Sequence, residues 1–313
     1  MYKYLFFAFL SSVHFSLASY EVVIATIFNN EAKYLKEWIE YHRMIGVDHF
    51  WVYNDWSSDN WREVLAPYVA EGLVEVFERH APIRQGPGVY FPMQASSMRD
   101  ALKRGLGKAK WVACIDIDEF IIPLSGSSLP ECLDKHFEDA GAVYANWRCF
   151  GTGGITIPDD QPILFSLVAS SLKSHPRNCV GKSIYRPEAV RIDDLWYAHA
   201  CCLKEGMKYL DGDGKETLIT EGTIVKTDGK SHTKFIRINH YVMRDEDYFQ
   251  NVRLERARKG YQGYFNGDIE LLIAQNNEFS LVNEYTLINF IKKNYPEKVD
   301  FWEQSKDIGE NND

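Results

Sequence analysis

Trp111 to Pro123 reads WVACIDIDEFIIP, an apolar run that carries three acids out of its middle. Trp111 to Ile115 has the length and β-branched character of a strand buried on both faces, as parallel sheets require. Asp116 and Asp118 follow at once, with Glu119 behind them. Side chains of an extended chain alternate with period two, so both aspartates are expected on the same side. Hard oxygen ligands at the carboxyl end of a sheet strand suit magnesium or manganese held against a diphosphate, and that edge is where open α/β sheets bind ligands. The alternative is a pair of solvated acids closing a strand.

Toward the N-terminus the pattern alternates strand and helix. EVVIATIF (21–28) reads as a strand, and EAKYLKEWIEYHRMIGV (31–47) as a helix with Leu35, Trp38, Ile39, His42 and Ile45 on one face, stopped by Gly46. HFWVYN (49–54) is a second strand, WREVLAPYVAEG (61–72) a short helix expected to break near Pro67, and LVEVFERH (73–80) a third strand. ASSMRDALKRGLGKA (95–109) predicts a helix with Met98, Ala101, Leu102 and Leu106 inward, before the fourth strand, WVACID. Such alternation implies a mostly parallel sheet with right-handed crossovers. Residues 20–124 therefore read as a Rossmann-like, nucleotide-binding α/β half.

Beyond Pro123 the regularity weakens, and residues 125–300 read as a smaller, irregular second half. SGSSLPECLDKHFED (125–139) suggests a loop and short helix, and AVYANWRCFGTGG (142–154) a strand entering a glycine-rich turn. EDYFQNVRLERARKG (246–260) and EYTLINFIKKNYP (284–296) look helical, and the tail 301–313 is expected to fray.

The chain has 313 residues, 45% of them hydrophobic, enough for a sizeable core. Its 35 basic residues against 44 acidic ones give a net charge of −9, which argues against a nucleic-acid partner. Aromatic residues make up 14%, which fits stacking on sugar rings and fits a generous core equally well. Six cysteines show no CxxC pair and no zinc spacing. The opening MYKYLFFAFLSSVHFSLASY sets Lys3 before an apolar stretch ending in small residues. Residues 1–18 thus read as a secretory signal peptide or short membrane anchor, and the chain is expected to be exported or membrane-associated.

The loops after the first two strands, IFNNEAKYLKEW and YNDWSSDN, are placed to hold a nucleotide. Asn30 and Glu31 also make a helix start, and Asp55, Ser57, Ser58 and Asp59 a turn and N-cap, so ligand contact and capping both stand. Trp147, Phe150, Gly151 and Gly154 of NWRCFGTGG offer aromatic faces beside glycines, which suits an acceptor sugar and suits a core tryptophan before a turn.

Taken in order, NNEAKYLKEWIEYHRMIGVDHFWVYNDWSSDN, KWVACIDIDEFIIP, NWRCFGTGG, GKSIYRPEAV with His199, and NHYVMRDEDYF resemble glycosyltransferase family 92. The resemblance runs from about Val22 to Gly260. It implies a GT-A fold, a UDP-sugar donor, Mn2+ or Mg2+, and transfer of a hexose, galactose above all, to a glycan with inversion. It assigns Asp116 to the ribose or metal, Asp118 to the metal with Glu119 in support, and His240 to the metal or diphosphate. Lys182 matches a basic position able to meet a phosphate. Asp245 stands where the family pattern has Ser. Inversion needs a carboxylate to take the acceptor proton; Asp247 matches an acidic position of the last block, with Asp193 and Asp194 as rivals. Two other readings are a nucleotide-sugar pyrophosphorylase, whose glycine-rich loop after the first strand is missing from IFNNE, and a catalytically inactive glycan- or nucleotide-sugar-binding relative, which the intact IDIDEF disfavours.

Overall fold

The computed structural model describes residues 19–79, 90–194, 199–217, 229–259 and 268–303. The segment read as a signal or anchor and most of the C-terminal tail lie outside the described residues. Four parallel strands open the sheet: β1 (Tyr20–Phe28), β2 (His49–Asn54), β3 (Val74–Glu78) and β4 (Ala109–Cys114), in the spatial order β3-β2-β1-β4. Helices α1 (Ala32–Met44), α2 (Trp61–Ala70) and α3 (Tyr90–Gly105) make the crossovers. The predicted inner face of α1 is buried through Leu35, Trp38, Ile39 and His42, and Gly46 ends the turn with φ 95°. Each such aliphatic side chain contributes on the order of 1.5–3 kcal/mol by leaving water.

The second half continues the same sheet. After β5 (Glu119–Pro123) and α4 (Leu129–His136) comes the ten-residue β6 (Ala140–Cys149), buried throughout. Further along lie β7 (Ala169–Ser170), β8 (Gly181–Tyr185), β9 (Lys208–Asp211), β10 (Glu216–Thr217) and β11 (Ile236–His240). Strand β8 runs antiparallel between β4 and β6, and β9 and β10 extend the far edge. A parallel first half, one reversed strand beside β4 and acids at the end of β4 make the GT-A type of α/β fold. The chain closes with α5 (Glu246–Tyr248), α6 (Leu254–Arg258), α7 (Ile269–Glu278), β12 (Val282–Asn283), α8 (Thr286–Asn294) and α9 (Val299–Glu303).

Three local expectations need correction, and one helix was not foreseen. Helix α2 does not break at Pro67 but runs on to Ala70. Pro67 cannot bond the Glu63 carbonyl, yet both residues face solvent, where water satisfies the freed group. Leu106 lies past the end of α3 and is exposed. The aspartates do not share one side of an extended strand, because β4 stops at Cys114 and Asp116 to Glu119 form a turn, Glu119 N donating to Asp116 O at 3.1 Å. Glu119 itself ends the ladder, its Oε2 taking the Asp116 N–H at 2.9 Å. Helix α7 had no counterpart in the sequence reading, since its exposed Leu271 and Ile273 blur the apolar stripe.

Glu37 of α1 joins the halves, its carboxylate accepting from Ile163 N at 2.8 Å and Leu164 N at 2.9 Å. Burial raises its pKa from 4.5 to about 7 against the pull of those two N–H groups. Because the folded value is the higher one, folding takes up a proton. The associated stability is complete below the ordinary range near 4.5 and lost as pH rises to about 7. Urea unfolding should therefore show the advantage of wild type over Glu37→Gln falling across that window, by at most about 1.4 kcal/mol per pH unit, then levelling. A difference that ignores pH would contradict it.

Candidate active site

Strand β5 pairs antiparallel with β11, setting His240 opposite Glu119, while Tyr241 N donates to Asp118 O at 2.8 Å. That pairing brings the IDIDEF turn and the NHY block together. His240 Nε2 lies 3.7 Å from Asp118 Oδ1. Its other ring nitrogen, Nδ1, is buried with no hydrogen-bond partner, and the ring packs on Trp147 at 4.2 Å between centroids.

Asp116 is held differently. Its Oδ2 meets Lys182 Nζ at 2.8 Å and its Oδ1 accepts from Gln94 Nε2 at 2.8 Å. Lys182 projects from β8, which reaches this depth because Gly181 passes so near β6 that a Cβ there would sit 2.0 Å from the Ala145 carbonyl oxygen. The Lys182 side chain is 1% exposed and also lies 3.9 Å from Glu119. Burial, reinforced by the charges of Asp116 and Asp118, pushes the Glu119 carboxyl well above its ordinary range despite Lys182. Burial would raise Asp118 too, but His240, Arg244 and Arg253 outweigh it and hold Asp118 well below the usual carboxylate range. Lys182→Met should cost about 3 kcal/mol in urea unfolding at pH 7, the cost of stripping a buried carboxylate cluster of its cation. A loss under about 1 kcal/mol would show that Lys182 is dispensable to the fold.

Around this core the first two loops interlock. Asn30, at φ 56°, accepts through Oδ1 from Ser58 N at 2.7 Å and Asp59 N at 3.3 Å, while its own N–H goes to Ser57 Oγ at 2.9 Å. Asp59 Oδ2 takes Ala32 N at 2.8 Å. Buried Asp55 anchors the second loop by donating its N–H to Phe28 O at 2.8 Å. These residues secure the loops to each other rather than capping their own helices: the cap positions of α1 and α2 are Glu31 and Asn60, and neither side chain makes a capping bond. Glu31 reaches inward instead, accepting from Arg244 Nη2 at 2.6 Å. Burial raises Glu31 to about 7, with Arg244 opposing and Asp118 adding to the rise. Arg244 sits at φ 58°, a strained corner for a residue with a Cβ, and its guanidinium lies 3.9 Å from the Tyr34 ring centroid.

Asp245, the departure from the family pattern, is fully buried. It caps α5 through Tyr248 N at 3.2 Å, takes Ile157 N at 3.1 Å and pairs with Lys33 at 3.1 Å. Asp247, two positions on and within α5, is exposed. Asp193 is exposed and paired with Lys103, and Asp194 pairs with Arg191. Lys103 lies nine residues beyond Gln94 on α3, about 13 Å along the axis from the Asp116 contact.

The four residues assigned to an acceptor divide. Trp147 stands beside His240. Phe150 is buried against Tyr241 at 4.5 Å between centroids, and Gly151 is pressed on α7 and the residues just after it, where a Cβ would meet Asn276 O at 2.7 Å and Ser280 Oγ at 2.2 Å. Those two are therefore corrected to packing positions, while Gly154, at φ 73°, has open space at its Cβ. Gln94, Arg177 and Arg253 had not been singled out. The one signal for Gln94 was a polar side chain on the face that carries Met98 and Ala101.

Among the described residues no three Asp, Glu, His or Cys side chains converge as a metal cage. The residues present fit a divalent cation as a two-ligand site: Asp118 stays ionised, His240 adjoins it, and the remaining positions would fall to phosphate oxygens and water. Asp116 is not brought in as a third ligand, because Lys182 and Gln94 occupy its carboxylate.

The chain belongs to glycosyltransferase family 92, whose family model matches residues 18–246. A glycosyltransferase family 92 protein of Ricinus communis is 26% identical over 201 residues, 62% of this chain and 34% of that protein. The beta-1,4-galactosyltransferase galt-1 of Caenorhabditis elegans is 26% identical over 123 residues, 38% of this chain and 29% of that protein. The chain spans about a third of the length of such curated relatives. Among solved structures, S. aureus TarS in complex with UDP-GlcNAc is similar with a TM-score of 0.40 at 13% identity, covering 91% of this chain and 74% of that one.

Proposed function

We propose that this protein transfers a hexose, galactose in the reading we favour, from a UDP-linked donor to a glycan acceptor with inversion, using manganese or magnesium. The observation that carries the reading is the pairing of Asp118 with His240 at the carboxyl end of β4, 3.7 Å apart and beside the Lys182 and Asp116 pair, in a chain of family 92. A cation bound there would act as a Lewis acid on the leaving diphosphate and orient the donor. The chain's own groups do the rest. Asp118 and His240 hold that position, Asp116 and Lys182 fix the turn that presents Asp118, and Glu31 with Arg244 locks the first loop beside it. Asp247, exposed at the start of α5, is our choice for the group that takes the acceptor hydroxyl proton; Asp193 is set aside because Lys103 holds it on the outer stretch of α3.

A thermal-shift panel of UDP, GDP and CDP sugars, each with and without manganese, tests the donor. A ligand bound only by the native state raises its melting temperature, so UDP-hexoses with manganese should give the largest rise. An equal response to all three nucleotides would reject a UDP-specific site. A relative that only binds sugars would show the shift without releasing UDP, and a pyrophosphorylase would consume pyrophosphate. We further propose export or membrane association through residues 1–18; among the described residues no helix is long and apolar enough to cross a membrane. Mature protein beginning near Ser19 would make the segment a cleaved signal, and an intact N-terminus on membrane-bound protein an anchor.

A further inference from the structure

Among the described residues, the non-glycine positions in the left-handed region are Asn30, Trp56 and Arg244, at φ 56°, 57° and 58°. Asn30 and Arg244 border the candidate site. Trp56 stands one bond away, because Asn30 N donates to the hydroxyl of its neighbour Ser57 at 2.9 Å. A left-handed turn position ordinarily carries glycine or asparagine, and a bulky side chain there is strained, a state that persists only where the surroundings hold it. Both peptide groups that flank Trp56 are held. The Asp55 carbonyl accepts from Asn29 Nδ2 at 2.6 Å, and Ser57 N donates to Asn54 Oδ1 at 3.0 Å. Trp56 itself is 57% exposed, so burial in the core does not account for a tryptophan at this strained corner.

We propose that Trp56 is the platform on which the nucleobase of the donor stacks. This inference rests on the UDP-sugar reading above and names the residue that meets the ring. In the sheet, β2 lies next to β1, and β1 next to β4. Neighbouring strands are about 4.8 Å apart, so the turn after β2 lies roughly 10 Å along the sheet edge from the turn after β4 that carries Asp118. A nucleotide whose diphosphate rests at Asp118 and His240 can reach across that span with its ribose and base. Trp147 and Gly154, the residues read for an acceptor sugar, belong to the second half instead. A base presents a flat face to an indole, and a tryptophan already fixed in its turn loses little freedom on stacking.

The full chain is titrated calorimetrically with UDP plus manganese and, in a separate arm, with pyrophosphate plus manganese, which carries the charge without the ring. Trp56→Ala should bind UDP about tenfold or more weakly than wild type, the scale of one lost base-aromatic stack, and should bind pyrophosphate as wild type does. Trp56→Phe should keep most of the UDP affinity. Trp56→Gly suits φ 57° without a Cβ, so it should lose UDP as Trp56→Ala does and yet unfold in urea no sooner than wild type. Unchanged UDP affinity in Trp56→Ala would overturn the platform and leave the donor reading standing. Equal losses of UDP and pyrophosphate affinity would trace the effect to the turn and also overturn it. Failure of wild type to bind UDP would overturn the platform together with the donor reading.

Discussion

Asp118→Asn should transfer sugar at least ~100-fold more slowly than wild type, a loss of the size seen when a key electrostatic group is removed from a reacting centre. The substitution keeps the shape of the side chain and leaves the Asp118 O to Tyr241 N bond in place, so the β5 to β11 pairing persists. What disappears is the charge that His240, Arg244 and Arg253 hold ionised. The measurement pairs the transfer rate with urea unfolding. A cooperative transition with collapsed activity fits the account; loss of the transition would make Asp118 a structural residue.

Asp247→Asn carries the largest expected effect. A general base lost from a transfer step costs on the order of 100- to 10,000-fold in rate, while binding that serves ground and transition states alike is untouched. Donor affinity should therefore stay level as transfer falls. The same comparison distinguishes His240→Ala, which should weaken manganese and UDP binding because its partner is the leaving group. Normal transfer by Asp247→Asn would move the search for the base to other carboxylates, Asp194 first.

The parallel half was legible because its helices and strands bury continuous apolar stripes, as in α1 and β2. The turn from Asp116 to Glu119 was not, because it depends on one side chain, Glu119, bonding back to the Asp116 N–H, and periodicity carries no trace of such a bond. Long-range partners were likewise hidden. Gln94 and Lys182 meet at Asp116 from α3 and β8, 22 and 66 residues away. The resemblance pointed to Lys182 without saying that a carboxylate would be its partner. Asn30, Ser57 and Asp59, read both as ligand contacts and as turn or capping residues, bond across the two loops, where short polar side chains satisfy free amides near the helix starts. Gly151 looked open in sequence because nothing there announced α7, whose Asn276 lies against it, and Phe150 because its partner Tyr241 is far along the chain.

The most direct test of the central claim is release of UDP from UDP-galactose by the purified chain with manganese, with excess EDTA, and in the Asp118→Asn variant. The account predicts turnover with manganese, none with EDTA, restoration when manganese is returned, and at least a ~100-fold slower rate in the variant. Equal rates in EDTA, or an Asp118→Asn variant that releases UDP as fast as wild type, would contradict a metal-assisted transfer built on Asp118 and His240.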